Sequence, residues 1–269
     1  MPETIEAFLD RTPIFTLGDL ETALAKSTGK NSKSRVYNLV KNRRRSGRLG
    51  VVKEGVYYVV RPGQTISTAP VDSFLAASRL VPDAVLAFHT ALDILGFGHS
   101  LFHTHYYFSK TYRRSFRFRG EQFRSINVPQ KLVRAGRELI GTEKVERLGM
   151  KILTTGKERT LVEALEHPEY CGGFEEMYRC LEKMPYLRQE IVLQYLDLRG
   201  QKNLFARVGF FLEQHREDFH IEESLLRSFE RNIPAQPLYW DRSRRGGLLM
   251  KRWNLIVPKA VVERSWEEF

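Results

Sequence analysis

Cysteines and long apolar runs are both scarce in this chain of 269 residues. No run approaches the roughly 18 uninterrupted apolar residues of a membrane-spanning helix, so we expect no membrane span. The first residues are acidic and lack an apolar signal core, which argues against a secretory signal. The two cysteines, Cys171 and Cys180, are more simply interpreted as unpaired thiols than as a disulfide. These features predict a soluble cytoplasmic protein.

The sequence also lacks the short motifs of several enzyme classes. It has no Gly-x-Ser-x-Gly nucleophile turn and no Gly-x-x-x-x-Gly-Lys-Ser/Thr phosphate loop. It has no Asp-x-Asp pair to hold catalytic magnesium, and no carboxylate two residues before a lysine, as in many metal-dependent nucleases. We therefore expect a protein that is not an enzyme and that uses no cofactor.

Three histidines, His99, His103 and His105, lie close together and suggest a metal site at first sight. A closed zinc site needs four nitrogen, sulfur or oxygen ligands, and no cysteine or carboxylate lies beside these histidines in the sequence. Packed or surface histidines on strands are the simpler interpretation. We expect no bound metal.

What the chain has in excess is positive charge. It carries 43 lysines and arginines against 32 acidic residues, a net charge of +11, and such an excess favours nucleic acid or an anionic surface as a partner. The segment from Lys30 to Lys53 contains no carboxylate. Within it, Val36, Leu39 and Val40 mark the inward face of a helix, so the segment is folded and not a disordered basic tail.

The local pattern around this segment predicts three helices followed by a β-hairpin. A first helix is expected over residues 3–9. A second begins at Thr16, whose hydroxyl caps the free amides, with Asp19 in the first turn. A turn at 28–31 precedes a third helix, capped by Asn31 or Ser32 and ending near residue 46. Strands at 49–52 and 56–60 flank a turn at 53–55. This order predicts a winged helix-turn-helix over residues 1–62.

In a helix-turn-helix the second helix of the pair enters the major groove of DNA, led by its N-terminal residues. The predicted reading face is Lys33, Ser34, Arg35, Tyr37, Asn38 and Lys41. Arg35 could pair with guanine and Asn38 with adenine. The predicted phosphate contacts are Arg43, Arg44, Arg45, Arg48 and, at the wing tip, Lys53. The alternative is that these charges form only a solvated face.

The remainder of the chain is predicted to be a linker at 63–72 and an α+β body at 73–269, with a small mixed or antiparallel sheet and a helical lobe. We expect helices at 73–80 and 82–95, strands at 106–109, 116–119, 123–128 and 150–153, helices at 158–165, 173–183, 186–199, 202–215 and 221–229, and strands at 239–240 and 253–257.

A second basic stretch lies within the body. Its cations are Lys110, Arg113, Arg114, Arg117, Arg119 and Arg124. Aromatic residues alternate with them, which predicts a strand pair with aromatics inward and arginines outward. Such an outer face could meet flanking DNA, RNA or an acidic protein. A third basic run at 242–252, in a predicted loop, has no assigned role.

Several motifs of the chain occur in an order that resembles a known family. They are Ser73-Phe-Leu-Ala-Ala-Ser-Arg-Leu, Ala87-Phe-His-Thr-Ala-Leu, Thr155-Gly-Lys-Glu-Arg-Thr-Leu-Val-Glu-Ala-Leu, Pro168-Glu-Tyr-Cys-Gly-Gly-Phe-Glu-Glu and Arg207-Val-Gly-Phe-Phe-Leu-Glu. Together with the winged helix, they resemble the AbiEi-type antitoxins of type IV toxin–antitoxin systems.

The resemblance implies a winged helix that binds inverted repeats of double-stranded DNA in its own promoter and represses its operon. It also implies a body that counteracts a nucleotidyltransferase toxin, with direct contact left open. The missing Asp-x-Asp pair argues that this chain is not itself the transferase. Two alternatives stand beside it: a winged-helix transcription factor with a ligand-sensing body, and a DNA-targeted enzyme such as a nuclease.

Overall fold

The computed structural model describes residues 4–28, 33–241 and 246–266. The helices are α1 Ile5–Arg11, α2 Leu17–Thr28, α3 Lys33–Arg45, α4 Ser73–Arg79, α5 His89–Ile94, α6 Gln130–Arg134, α7 Lys157–Glu166, α8 Phe174–Leu181, α9 Gln189–Arg199, α10 Lys202–Gln214, α11 Glu223–Glu230 and α12 Lys259–Glu263. Of the helices in these described ranges, none combines the length and apolar character needed to cross a membrane.

The strands are β1 Ile14–Thr16, β2 Leu49–Lys53, β3 Val56–Val59, β4 Val85–Leu86, β5 Thr104–Ser109, β6 Phe116–Phe118, β7 Glu121–Asn127, β8 Thr142–Arg147, β9 Met150–Thr155, β10 Leu238–Tyr239, β11 Leu248–Met250 and β12 Leu255–Val257. They form two three-stranded sheets and one six-stranded sheet. The predicted α+β class is confirmed.

The chain forms two compact units, and each is built from several segments. Unit 1 comprises residues 1–86, 103–126 and 144–154, and unit 2 comprises residues 87–102, 127–143 and 155–269. This division differs from the predicted domains, because the strands of the body's large sheet belong to unit 1 with the N-terminal residues. Three separate segments supply those strands, and a single boundary along the chain therefore does not separate the units.

The N-terminal part of unit 1 has the element order α1, β1, α2, α3, β2, β3, with a sheet order of β1-β3-β2. Both strand pairs are antiparallel. This is the arrangement of a winged helix, with the β2–β3 hairpin as the wing. The predicted helices and hairpin turn are present, and Gly55 in that turn has a φ of +87°. The predicted turn and cap at 29–32 lie outside the described residues.

Local sequence explains how this part folds. The backbone N–H of Thr16 donates to the Asp19 carboxylate at 2.8 Å, and the backbone N–H of Asp19 donates to the Thr16 hydroxyl at 3.2 Å. This reciprocal pair starts α2 as predicted. Nine buried residues form the core: Phe8, Leu9, Phe15, Leu20, Leu24, Val36, Val40, Leu49 and Tyr57. Of the predicted inward residues of α3, Val36 and Val40 belong to this core, and Leu39 packs against it half-buried. Strand β1 was not predicted, because three residues are too few to show an alternating pattern.

The six-stranded sheet has the order β6-β7-β5-β4-β9-β8, and its strands fall in unit 1 apart from residues at their ends. The predicted helix at 82–95 is wrong: β4 pairs antiparallel with β5 and parallel with β9, and α5 begins only at His89. Val85 and Leu86 of β4 are both buried although successive side chains of a strand point to opposite faces. The strand is therefore a continuous apolar run, and periodicity does not distinguish such a run from a buried helix. Phe88, with a φ of +55°, turns the chain between strand and helix.

Unit 2 contains the helices α5 to α12 and the sheet β10-β12-β11. The predicted helices of this lobe are present to within a few residues. Helix α10 packs closely against the buried ring of Trp253 at Gly209. A Cβ atom on Gly209 would lie 2.1 Å from that ring, so only glycine allows the contact. Helices α6 and α12 and strand β11 were not predicted, since each is only three to five residues long.

Candidate nucleic-acid interface

Helix α3 turns one face into the core and the other to solvent. Val36 and Val40 are 3% and 4% exposed and fix the rotation of the helix about its axis. The predicted reading face is therefore presented to solvent. All six of its residues are exposed: Lys33, Ser34, Arg35, Tyr37, Asn38 and Lys41. The structure places them together on the N-terminal two thirds of one helix.

The C-terminal end of α3 is less uniform than the sequence indicates. Arg44, Arg45 and Arg48 are exposed. The Arg43 guanidinium instead forms an ion pair with Glu6 of α1 and is half-buried. The two partners lie 37 positions apart in the chain, so no local pattern could reveal the pair. Arg43 is therefore a weaker candidate for a phosphate contact than its neighbours.

The wing lies beside α3, and an open groove separates them. The groove encloses about 600 Å³, and its lining includes Tyr37, Lys41, Arg44, Glu54 and Ile66. Lys53 is half-buried, with its ammonium 4.9 Å from the centre of the Phe116 ring. Gly50 of β2 packs directly against the ring of Tyr58. A Cβ atom at this position would lie 1.9 Å from that ring, so the close approach requires glycine.

The second basic stretch surrounds the β6–β7 hairpin of unit 1. All six of its cations are exposed: Lys110, Arg113, Arg114, Arg117, Arg119 and Arg124. Phe123 is 1% exposed, as the prediction of inward aromatics requires, whereas Phe116 and Phe118 are only half-buried. The rings of Phe116 and Phe123 stack at 4.9 Å. Tyr112 departs from that prediction, since it is 63% exposed.

Arg119 has a structural role within this hairpin. Its guanidinium donates to the backbone carbonyls of Ile66 and Ala69 and, at 3.0 Å, to the hydroxyl of Tyr58. Residues 63–72 carry no helix or strand, as predicted for the linker. These hydrogen bonds nevertheless hold the segment against the hairpin and the wing, so it is not a freely moving connection.

The third basic run is only partly described. Arg242, Arg244 and Arg245 lie outside the described residues. Arg252 is held within unit 2 by ion pairs to three carboxylates, those of Glu213, Glu223 and Glu230.

Two of the three histidines that suggested a metal site, His103 and His105, form hydrogen bonds with one carboxylate. His103 Nδ1 lies 3.1 Å and His105 Nε2 lies 2.9 Å from the Glu121 carboxylate. Partial burial raises the pKa of Glu121, but these two hydrogen bonds outweigh it and leave the pKa lowered. His99 belongs to the other unit.

Unit 2 contains a buried polar cluster that no local motif indicated. His89 lies between two carboxylates, with Nδ1 3.1 Å from Asp93 and Nε2 2.9 Å from Glu176. The Cys180 thiol donates to the same Glu176 oxygen at 3.3 Å. Burial raises the pKa of Glu176, but hydrogen bonds from His89 and Ser100 outweigh it and lower the pKa to about 2. His89 and Glu176 are 87 positions apart, and only the fold brings them together.

No protein-family model and no curated protein matches the chain. Among solved structures, the chain is similar to the crystal structure of the RV2827C protein from Mycobacterium tuberculosis. The TM-score is 0.60 at 17% sequence identity, and the match covers 96% of this chain and 91% of that chain. At this identity the likeness concerns the fold alone: this chain has the fold of the mycobacterial protein.

Proposed function

We propose that this chain binds double-stranded DNA through α3 and the wing. The observation that supports this proposal most directly is the solvent face of α3, which presents cations and hydrogen-bonding side chains. Residues 33–53 contain no carboxylate. A helix of this kind at the second position of a helix-turn-helix is suited to the major groove. Phosphates neutralise its charge, and releasing their counterions favours binding.

The exposed residues of α3 divide into two groups by position. Arg35 and Asn38 lie toward its N-terminus and have side chains that form bidentate hydrogen bonds with base edges. Arg44 and Arg45 lie at its C-terminal end, where the helix of a helix-turn-helix passes the sugar–phosphate backbone. The first group would supply sequence preference and the second affinity for any duplex.

The first test is binding of the full chain to the duplex upstream of its own gene, measured by fluorescence anisotropy against a scrambled duplex of equal composition. We expect tighter binding to the upstream duplex and weaker, salt-sensitive binding to the scrambled one. Failure to bind either duplex at low salt would contradict the proposal.

The reading face has its own test. Arg35→Ala and Asn38→Ala should each reduce discrimination at one base pair by about 1–3 kcal/mol, with little change in binding to the scrambled duplex. Lys144→Ala, which removes an exposed cation from β8, is the matched control. Equal losses on both duplexes would show that these side chains contact only phosphates.

We further propose that the chain is an antitoxin that represses its own operon and counteracts a nucleotidyltransferase toxin. The order of motifs in the chain, which resembles that of AbiEi-type antitoxins, supports this proposal. The test is co-expression with a nucleotidyltransferase encoded beside the gene. Rescue of growth is expected, and continued toxicity with abundant folded protein would refute the antitoxin role while leaving DNA binding standing.

A further inference from the structure

Three side chains of unit 2 bring an imidazole, a carboxylate and a thiol together in a buried position. They are His89 of α5 and Glu176 and Cys180 of α8, and one ligand atom from each lies within 4.8 Å of the others. Glu176 and Cys180 are four residues apart and therefore share one face of α8. The combination of nitrogen, oxygen and sulfur donors is the set that Zn²⁺ and Co²⁺ prefer in proteins.

The surroundings of the three side chains orient them as metal ligands are oriented. Asp93 accepts from His89 Nδ1 and so directs Nε2 toward the other two residues. The backbone N–H and the hydroxyl of Ser100 donate to Glu176 at 2.8 and 2.7 Å. A carboxylate behind a histidine and donors behind a carboxylate are the outer contacts typical of protein metal sites.

The distances are also close to those of a tetrahedral site. Metal bonds of about 2.0–2.3 Å place the ligand atoms of a tetrahedral zinc ion about 3.3–3.8 Å apart. Here Nε2 of His89 lies 2.9 Å and Sγ of Cys180 lies 3.3 Å from the same oxygen of Glu176. Lengthening these two separations by about half an ångström would bring them into the tetrahedral range, and Nε2 and Sγ lie within 4.8 Å of each other.

We propose that His89 Nε2, the Glu176 carboxylate and Cys180 Sγ bind one Zn²⁺ ion that links α5 to α8, with a water molecule as fourth ligand. Binding forms one Zn–N, one Zn–O and one Zn–S bond. The protons on Sγ and Nε2 pass to solvent, and the proton on Nδ1 stays with its hydrogen bond to Asp93. This site is independent of the DNA-binding proposal.

Cobalt titration of the metal-free full chain tests the site directly, because Co²⁺ bound to a thiolate gives a charge-transfer band in the near ultraviolet and tetrahedral ligand-field bands in the visible. We expect both sets of bands, saturating at one equivalent of Co²⁺ and abolished by one equivalent of Zn²⁺. Folded wild-type protein without the charge-transfer band would overturn the proposal, whatever any variant does.

Variants locate the metal and separate ligands from neighbours. Cys180→Ser should abolish the charge-transfer band, whereas Cys171→Ser, which removes the chain's other buried thiol, should retain it. Asp93→Asn should keep the band and weaken Co²⁺ affinity by about 10- to 100-fold, as expected for a positioning residue. Retention of the band in Cys180→Ser, or its loss in Cys171→Ser with circular dichroism unchanged, would contradict the assignment.

Discussion

Replacement of Arg159 in α7 should strongly destabilise unit 2. The Arg159 side chain is fully buried, and its Nε donates to the Glu163 carboxylate at 2.9 Å. Its Nη1 donates to the backbone carbonyls of Glu138 and Ile140 at 2.7 and 2.9 Å. Glu163 is 1% exposed and also accepts from the Tyr195 hydroxyl at 2.6 Å. The charge on each partner is compensated chiefly by the other.

Arg159→Met retains the apolar stem but leaves the Glu163 carboxylate buried without its cation. Removing one partner of a buried ion pair costs about 3–5 kcal/mol, mostly as the penalty of the uncompensated charge. Glu163→Gln removes that charge, so the double variant should recover about 1–3 kcal/mol relative to Arg159→Met alone. That result would show that the Arg159–Glu163 ion pair mainly compensates two buried charges and adds little net stability of its own.

Urea unfolding followed by tryptophan fluorescence measures this directly, because the three tryptophans, at positions 240, 253 and 266, all lie in unit 2. Arg137→Met, at an exposed site on the same unit, should change stability by less than about 0.5 kcal/mol. A loss below about 1 kcal/mol in Arg159→Met, or a double variant no more stable than that single variant, would refute the reasoning.

Three further predictions concern individual side chains. Gly50→Ala should cost about 1–3 kcal/mol by displacing Tyr58; unfolding monitored by circular dichroism checks this, and wild-type stability would contradict it. Thr16→Ala removes the hydroxyl that accepts from the Asp19 N–H and should cost about 1 kcal/mol in the same assay; a neutral result would show that the cap is dispensable. Arg188 Nε donates to the Glu158 carboxylate at 3.0 Å. Burial raises the pKa of Glu158, but the hydrogen bonds with Arg188 outweigh burial and lower that pKa. The ion pair therefore stabilises the fold above the unfolded carboxyl pKa of about 4.3, and this stabilisation is lost as pH falls through the folded pKa. The stability deficit of Glu158→Gln should therefore shrink in acid, and a pH-independent deficit would contradict the ion pair's role.

The features that the sequence predicted correctly are encoded over short distances. Thr16 and Asp19 are three positions apart, and Val36 and Val40 are one helical turn apart, so their hydrogen bond and shared face follow from local geometry alone. The turn of the wing likewise depends on Gly55. The winged helix, the exposed face of α3 and most helices of unit 2 were predictable for this reason.

Apart from the short helices and strands, the features that were missed depend on residues distant in sequence. Three such contacts join separate segments of the chain. They are the ion pair of Arg43 with Glu6, the hydrogen bonds of Arg119 and the polar cluster around His89. Strand β4 was predicted as helix because only its two neighbouring strands distinguish a short buried run from helical core. Charge pattern located the basic surface, but only the fold shows which of its cations are already used by the protein.

The most direct test of DNA binding is the dependence of the binding constant on salt. A plot of log K against log salt concentration should be steep, with a slope of about −0.9 for each phosphate neutralised. Arg44→Ala/Arg45→Ala should reduce the magnitude of the slope by about 1.8. Lys144→Ala/Lys151→Ala, which removes two exposed cations from β8 and β9, should leave the slope unchanged. An equal slope for wild type and the α3 variant would exclude the helix from the interface and contradict the proposed function.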